Sequence, residues 1–342
     1  MKKIRVGICG LGSMGMHHAL MLCKHENAEL VAAADMEEAK RLRAKEELHV
    51  SQIFADGRDL IRNTELDAVW VCVPTYLHAE FTALALEHGR HVFCEKPMAR
   101  TPEECAIMQN AAEKSGKFLM IGQVLRFWPE YVFLKEAVSG GRYGKLLTLS
   151  MTRVGGVSTG YENWFLDEAR GGTQIFDRHI HDTDAILWIC GKPESVRVTA
   201  TVKDRSTDGG AVHTFTDYHF PGGPTVHAEG SADMPKGFPF TAAYRAVFEN
   251  ACVEFNSRNA ETLKVYHDGI VETPELPKAV EESGSGLNIS SALPYFAEQC
   301  YFFDCILKGR KPETVTPEAA AETVKTVRAE MVSEKTGETV KL

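Results

Sequence analysis

Apolar and polar positions follow two different rhythms along this chain. Up to about residue 123, short continuous apolar runs alternate with stretches of helical periodicity; the apolar runs cover residues 4–9, 29–34, 66–73, 91–94 and 117–122. Helices are predicted at 77–87 and from Thr101-Pro102, where Thr101 is the N-cap and Glu104 completes a capping box. Buried strands that alternate with helices predict a parallel, doubly wound α/β sheet.

Beyond residue 123 the pattern changes to alternating apolar and polar residues divided by Gly, Asp and Pro turns. This alternation predicts strands at 145–154, 196–202, 212–220, 225–231, 244–249, 251–256 and 262–265, with helices at 129–138, 172–190, 292–307 and 317–333. Period-two alternation is typical of an antiparallel sheet with one covered face. We therefore predict an α/β domain over 1–123 and an α+β domain over 124–342 with a large, mostly antiparallel open sheet.

A glycine turn follows the first apolar run directly. Gly10, Gly12 and Gly15 flank Ser13-Met14, and Asp35 ends the second apolar run 20 residues after Gly15. The glycines suit a tight turn, the approach of a pyrophosphate and close helix packing, while an acid at this distance accepts ribose hydroxyls. Its charge would repel a 2′-phosphate, and Met36 offers no cation. The pattern predicts a Rossmann domain that binds NAD in preference to NADP.

Composition limits the classes of partner. The 342 residues are 44% hydrophobic with a formal net charge of −9, and no basic block offsets that charge. Nucleic acid and anionic membrane surfaces are therefore not expected partners. No stretch approaches the roughly 20 apolar residues of a membrane-spanning helix. The nine cysteines are odd in number, without a Cys-x-x-Cys pair, and indicate buried thiols in the cytoplasm.

Two motifs lie at predicted strand ends, where ligands of doubly wound sheets bind. Pro74-Thr75-Tyr76-Leu77-His78 follows the run at 66–73, and Glu95-Lys96-Pro97 follows the run at 91–94. Lys96 is well sited to contact the nicotinamide ribose and a substrate. Taken alone, Lys96 is better explained as a solvated loop lysine, and the Pro74–His78 motif is a weak signal beside an ordinary strand-to-helix turn.

A third motif carries a carboxylate and an imidazole. Asp177 and His181 stand four apart in a predicted helix and share a face, as a general base and its orienting partner require. Asp184 falls on the same face and His179 is close, so a metal site is an alternative that we weigh and do not adopt. A purely structural helix cap is a further alternative.

These motifs together resemble the glucose–fructose oxidoreductase/inositol dehydrogenase/MocA (Gfo/Idh/MocA) family. The resemblance covers the glycine turn, residues 73–80, residues 89–97 with Glu-Lys-Pro, Arg126-Phe127, Gly171-Gly172, the Asp177-x-x-x-His181-Asp182 spacing and the closing segment 336–340. It implies a Rossmann domain followed by a sheet domain, with association into homodimers or homotetramers through the sheets. It also implies that Lys96, Asp177 and His181 are catalytic. Arg178-His179 and Thr75 depart from the family pattern.

The expected activity is reversible oxidation of a secondary alcohol of a sugar or cyclic polyol, with either His181 or Lys96 as proton acceptor. We expect no metal, and we expect the cofactor to be bound by Gly10, Gly12, Ser13, Met14, Gly15, Asp35, Pro74, Thr75, His78, Glu95, Lys96 and Gln123. The expected substrate contacts are Lys96, Arg153, Trp164, Asp177 and His181. Two alternatives stay open: an enzyme that retains NAD and oxidises a glycoside only transiently, and a non-catalytic NAD-binding regulator.

Overall fold

A computed structural model describes residues 3–156, 160–202, 211–277 and 293–342. The chain forms two compact units. The described part of the first comprises residues 3–124 and 293–322, and the second takes up the chain from 125 and again from 323 onward.

The first unit contains a six-stranded sheet with the order β3-β2-β1-β4-β5-β6, in which all neighbours are parallel. Its strands are β1 (Ile4–Cys9), β2 (Ala28–Ala34), β3 (Gln52–Phe54), β4 (Ala68–Val71), β5 (His91–Glu95) and β6 (Leu119–Gly122). The intervening helices are α1 (Ser13–Lys24), α2 (Glu38–Leu48), α3 (Gly57–Asn63), α4 (His78–Glu87) and α5 (Pro102–Ser115). The predicted parallel, doubly wound sheet is confirmed.

The start of α5 shows how local sequence fixes an element. The Glu104 N–H donates to Thr101 Oγ1 at 3.3 Å, as the capping box requires. The Glu104 carboxylate, however, accepts the Arg100 N–H at 2.9 Å, one residue earlier than the standard box. The cap therefore forms at the expected residue with one partner shifted.

The helix α8 (Leu293–Lys308) packs on the first sheet. Trp70 and Phe93 stack with ring centroids 5.3 Å apart, and the rings of Phe302 and Phe303 lie 5.7 and 5.1 Å from Trp70. The sequence predicts that all of 124–342 belongs to the second domain. The structure instead groups residues 293–322 with the first unit, so the predicted boundary is corrected for this segment. Its apolar face is evident from sequence, but its partner sheet is not.

The second unit is built on a nine-stranded sheet with the order β14-β13-β12-β11-β7-β10-β9-β8-β15. The strands are β7 (Leu146–Val154), β8 (Ser195–Val202), β9 (Ala211–His219), β10 (Thr225–Ser231), β11 (Thr241–Phe248), β12 (Cys252–Asn256), β13 (Leu263–His267), β14 (Ile270–Glu272) and β15 (Val340–Lys341). Only β7 and β10 pair in parallel among these strands, so the expected mostly antiparallel sheet is confirmed.

Helices cover one face of this sheet. They include α6 (Pro129–Ser139) and α7 (Ile180–Cys190), while α9 (Pro317–Thr336) crosses the boundary at residue 322. The buried face carries Met151, Tyr244 and Phe255. Over the part of the chain that the structure describes, we find no helix with the length and apolarity that crossing a membrane requires.

Candidate active site

The glycine turn between β1 and α1 leaves an open cradle. Gly10 has φ +93°, and a Cβ there would lie 2.4 Å from the Cys72 carbonyl oxygen. A Cβ on Gly15 would lie 1.9 Å from the Gly10 carbonyl oxygen, whereas nothing lies within 4 Å of a Cβ on Gly12. Gly12 is also the N-cap of α1, without a side-chain cap. The helix start is thus uncapped by a side chain and open, as pyrophosphate binding requires.

Asp35 lies directly after β2 and is buried. Its Oδ2 accepts the Leu11 N–H at 2.8 Å and its Oδ1 accepts the Glu37 N–H at 2.9 Å. Each carboxylate oxygen keeps a further lone pair for a ribose hydroxyl. The carboxylate therefore fixes the glycine turn to the end of β2 at the position expected for ribose recognition.

Arg41 is a residue of this region that sequence reasoning missed. Its Nη1 donates to the carbonyl oxygens of Asp35 and Met36, at 2.8 and 2.7 Å. Met36 offers no cation, as expected, but the Arg41 guanidinium lies at the backbone of the same turn. The guanidinium is held on backbone carbonyls, and Asp35 itself remains the acidic group at the strand end.

His78 connects the two predicted strand-end motifs. Its Nδ1 lies 2.7 Å from the Pro97 carbonyl oxygen, and its Nε2 lies 2.9 Å from the Val73 carbonyl oxygen. Burial lowers the pKa of His78 despite these hydrogen bonds. The imidazole thus braces the turn after Lys96 against the end of β4, and its expected contact with the cofactor stays a prediction.

Glu95 ends β5 and holds the following residue. One carboxylate oxygen, Oε1, lies 2.7 Å from His18 Nε2, and the other, Oε2, accepts the Lys96 backbone N–H at 3.0 Å. Glu95 is buried, whereas Lys96 is half-buried and precedes a cis peptide bond to Pro97. The backbone of Lys96 is therefore fixed by a buried acid at the carboxyl end of the sheet.

Some buried polar groups at the same sheet edge have no hydrogen-bond partner in the part of the chain that the structure describes. Both amide atoms of Gln123, directly after β6, and Thr75 Oγ1, after β4, make no hydrogen bond to any described residue. Such groups are costly to bury unless a ligand or water satisfies them. Together with the open Gly12 cradle they fit a dinucleotide along the carboxyl ends of the strands. Ser13 and Met14 lie in the first turn of α1, and Pro74 precedes Thr75.

Asp177 and His181 lie in two different kinds of helix. Residues Gln174–His179 form a π-helical turn that leads into α7, so the stretch predicted as a helix over 172–190 is helical from 174 but not α-helical in its first turn. Thr173 has φ +90°, which is strained for a β-branched residue, and its Oγ1 accepts the Phe176 N–H at 3.3 Å. Both Asp177 and His181 are half-buried. Short π-helical turns occur frequently at functional sites.

Two buried ion pairs anchor α7. Arg153 Nε donates to Asp182 at 2.8 Å and its Nη2 donates to the Tyr131 hydroxyl at 3.0 Å, while Arg126 donates to Asp184 at 2.7 Å. Such pairs are expensive to break because the remaining charge stays buried. Arg153 therefore acts in this structure as an anchor of α7, and its expected contact with substrate stays a prediction.

The residues next to Asp177 also bind protein groups. His179 is fully buried, its Nε2 lies 3.1 Å from Thr216 Oγ1, and burial lowers its pKa to about 3. Arg178 donates to the carbonyl oxygens of Ser231 and Gly156 at 3.1 and 3.0 Å. The two residues that depart from the family pattern thus hold the π-helical turn on the sheet.

The metal alternative gains no support from this segment. Asp184 is bound to Arg126 and accepts the Thr323 hydroxyl at 2.9 Å. Over the described ranges, the His, Cys, Asp and Glu side chains whose donor atoms lie within 4.8 Å of one another are instead His18, Glu95 and Glu298.

Trp164 lies in a short segment before the Gly171-Gly172 pair. Its ring is half-buried and stacks on Phe165 at 4.1 Å. A Cβ on Gly172 would lie 2.2 Å from the Trp164 carbonyl oxygen, so glycine is required for this close approach. The pair therefore positions the tryptophan segment, and the expected contact of Trp164 with a sugar stays a prediction.

The parallel sheet, the uncapped glycine turn and the acid after β2 define a dinucleotide-binding α/β protein. Two domain models of one family match this chain: an oxidoreductase-family NAD-binding Rossmann fold over residues 4–123, and the GFO/IDH/MocA C-terminal domain over residues 131–252. Together they match well over half of the sequence. The chain belongs to the Gfo/Idh/MocA family of NAD-binding oxidoreductases.

Curated relatives align over part of their length. D-glucoside 3-dehydrogenase of Escherichia coli is 34% identical over 200 residues, which are 58% of this chain and 57% of that protein. Myo-inositol 2-dehydrogenase of Thermotoga maritima is 34% identical over 190 residues, 55% of each. The alignments thus span little more than half of these relatives. A solved levoglucosan dehydrogenase with NADH and levoglucosan has the same fold, with a TM-score of 0.87 at 18% identity over 99% of both chains.

Proposed function

We propose that this protein is an NAD-dependent dehydrogenase that reversibly oxidises a secondary alcohol of a sugar or cyclic polyol. The observation that carries the proposal is Lys96, held through its backbone by buried Glu95 at the carboxyl end of β5, on the sheet that carries the dinucleotide cradle. The inositol and glucoside dehydrogenases among its relatives support this substrate class. The partial alignments do not select one sugar or polyol.

The cofactor would lie over Gly12, with its ribose on Asp35 and its polar groups on Thr75 and Gln123. NAD, when bound, supplies the hydride acceptor. The buried polar groups at the carboxyl ends of the strands would bind and orient the cofactor. The two amide atoms of Gln123 that have no partner among the described residues would gain hydrogen bonds from it. The carboxylate of Asp35 would exclude a 2′-phosphate by charge repulsion.

Lys96, Asp177 and His181 would act on the same alcohol. The Lys96 ammonium donates a hydrogen bond to the reacting oxygen and stabilises negative charge that develops on it. His181 takes the hydroxyl proton, and the Asp177 carboxylate orients the imidazole and stabilises its cation. Lys96 is the alternative proton acceptor. Trp164 offers an aromatic surface for the sugar ring.

A panel of cyclic polyols, hexoses, uronic acids and glycosides, followed by NADH absorbance with NAD and with NADP, tests this proposal. We expect at least one polyol or sugar to reduce NAD faster than NADP. Exchange of substrate hydrogen with solvent, or cleavage of a glycoside without net NADH, would instead indicate the transient oxidation described above. Tight NAD binding without turnover of any compound would indicate a regulator. The Lys96→Met variant is the control for turnover at this site.

We also propose that the protein is cytoplasmic and forms homodimers or homotetramers through the nine-stranded sheet. The pairing register places Phe215, Arg245 and Tyr266 on the face opposite the helices, and the two aromatic side chains are 42% and 37% exposed. Exposed aromatic groups on a broad sheet fit an association surface. All nine cysteines are free thiols, which fits the proposed reducing compartment. Sedimentation of the wild type and of Phe215→Glu tests the association.

A further inference from the structure

Three ionisable side chains lie close together at the end of β5. They come from separate elements: His18 from α1, Glu95 from β5 and Glu298 from α8. One donor atom of each lies within 4.8 Å of the others, and all three residues are buried. Glu95 is expected to contact the cofactor, whereas no motif in the sequence marks His18 or Glu298.

The hydrogen bonds indicate which ring nitrogen of His18 carries the proton. Gln299 Nε2 lies 2.8 Å from His18 Nδ1, and His18 Nε2 lies 2.7 Å from Glu95 Oε1. With the amide donating to Nδ1, the imidazole is neutral and its Nε2–H donates to the Glu95 carboxylate. Both ring nitrogens of His18 are therefore already bound to protein groups.

Glu298 differs from Glu95 in its hydrogen bonding. Neither carboxyl oxygen of this fully buried side chain has a hydrogen-bond partner among the described residues. A buried carboxylate without donors or a counter-charge carries a large desolvation cost. Its surroundings add further negative charge from Glu95.

The environment thus shifts the pKa values of the two carboxyl groups in opposite directions. Burial, and then the charge of Glu95, raises the pKa of Glu298 well above its usual range. Burial alone would also raise the pKa of Glu95, but the hydrogen bond from His18 and the charge of Lys96 hold it below the usual value. Two carboxyl groups that interact in one site titrate as a pair. One proton therefore stays bound to the pair after the other has been released.

Besides Lys96, His78 and Cys94, which interact with Glu95, the groups near this cluster include His17 on α1, Cys72 after β4 and Tyr295 on α8. The pKa of His17 is lowered to about 4 by burial and the neighbouring imidazole, and the pKa of the Cys72 thiol is raised well above its usual value by burial and nearby acids that include Glu298. The Tyr295 ring lies edge-on to His17 at 5.1 Å. At neutral pH, neither the His17 imidazole nor the Cys72 thiol supplies a charge that would stabilise an ionised Glu298.

We propose that Glu298 is held as a protonated carboxylic acid and is a positioning residue for Lys96. The proton keeps the buried Glu95–Glu298 pair at a single negative charge, so that the Glu95 carboxylate stays between His18 and the Lys96 backbone N–H. A second negative charge would repel Glu95 and disturb the turn that carries Lys96. A divalent cation is disfavoured because it would have to displace the His18–Glu95 hydrogen bond. This inference rests on the proposed catalytic role of Lys96.

The direct test is an infrared difference spectrum of the NAD-loaded wild type minus the Glu298→Gln variant at neutral pH. We expect a carboxylic-acid C=O band from Glu298 that shifts on exchange into D₂O. A difference spectrum that shows only carboxylate bands contradicts the proposal. So does a stoichiometric divalent metal in the wild type that is lost from the variant, measured by elemental analysis.

Kinetics of three variants distinguish positioning from simple packing. Glu298→Ala lowers kcat by about 10- to 100-fold if its cavity misplaces Lys96, and Glu298→Gln, which mimics the protonated acid, restores most of that loss. Glu298→Leu is a matched control that fills the volume without hydrogen-bonding groups; because it also leaves the site with one negative charge, it restores kcat as well. In the wild type alone, kcat falls further at alkaline pH as Glu298 loses its proton, and an alkaline limb that is identical in the wild type and in the Gln and Leu variants contradicts a positioning role. The infrared band requires no substrate, so its presence without turnover refutes the proposed function alone, and its absence with turnover refutes this inference alone.

Discussion

Asp35 offers the most quantitative test of the cofactor site. Its carboxylate already accepts the Leu11 and Glu37 N–H groups, and we assign the adenosine ribose hydroxyls to its remaining lone pairs. A hydrogen bond to a charged acceptor contributes about 1.5–3 kcal/mol. Loss of two such bonds to ribose, about 3–6 kcal/mol, predicts that NAD binds Asp35→Ala about 10²- to 10⁴-fold more weakly, since about 1.4 kcal/mol is a factor of ten.

The same substitution also affects folding. The Leu11 N–H is left without its acceptor in a buried turn, which costs about 1–3 kcal/mol of the free energy of unfolding. The glycine turn therefore loosens as the ribose contact is lost. Affinity for NADP is expected to fall less than affinity for NAD, because the repulsion of the 2′-phosphate disappears with the carboxylate.

Isothermal titration of NAD and NADP into the wild type, Asp35→Ala and Glu37→Ala measures these effects. Glu37 is the matched control, since its carboxylate pairs with Lys40. Urea unfolding of each variant separates lost stability from lost binding. A folded Asp35→Ala protein with wild-type affinity for NAD and an unchanged preference over NADP would refute the assignment.

Three further predictions concern catalysis and pH. Lys96→Met lowers kcat by about 10²- to 10³-fold with NAD affinity close to wild type in titration, and unimpaired turnover would reject its catalytic role. His181→Ala shifts or removes the limb of the kcat/KM profile near neutral pH, whereas an unchanged profile argues against His181 as base. Burial raises the pKa of Glu330 to about 8, against the hydrogen bonds from Tyr218 and Thr183. The folded state then holds this proton more tightly than the unfolded chain, so stability is lost as pH rises from 4.5 to about 8, and Glu330→Gln flattens that loss in urea unfolding.

The elements that sequence predicted well are those with local signals. The strand at 225–231 has the predicted bounds, and α5 begins at Pro102 after its Thr101 cap. Period-two alternation, turn residues and helix caps are properties of neighbouring positions. They identify both sheets without knowledge of what packs on them.

Long-range packing explains what sequence did not show. The apolar pattern over 174–190 is compatible with one helix, but its first turn is π-helical, with a strained Thr173 at its start. The two ion pairs that anchor α7, Arg153–Asp182 and Arg126–Asp184, join residues 29 and 58 positions apart. The contact of His18 with Gln299 joins residues 281 positions apart, so no spacing in the sequence indicated the cluster of His18, Glu95 and Glu298.

The central claim is that Lys96 and His181 act on one carbon of the substrate. A crystal structure of the Lys96→Met variant with NAD and a compound oxidised by the wild type tests it most directly. We predict that the reacting hydroxyl lies within hydrogen-bond distance of the His181 imidazole, that the side chain at position 96 borders the same hydroxyl, and that the carbon faces the nicotinamide ring. Side chains 96 and 181 in separate crevices, with the compound bound to only one, would contradict the account.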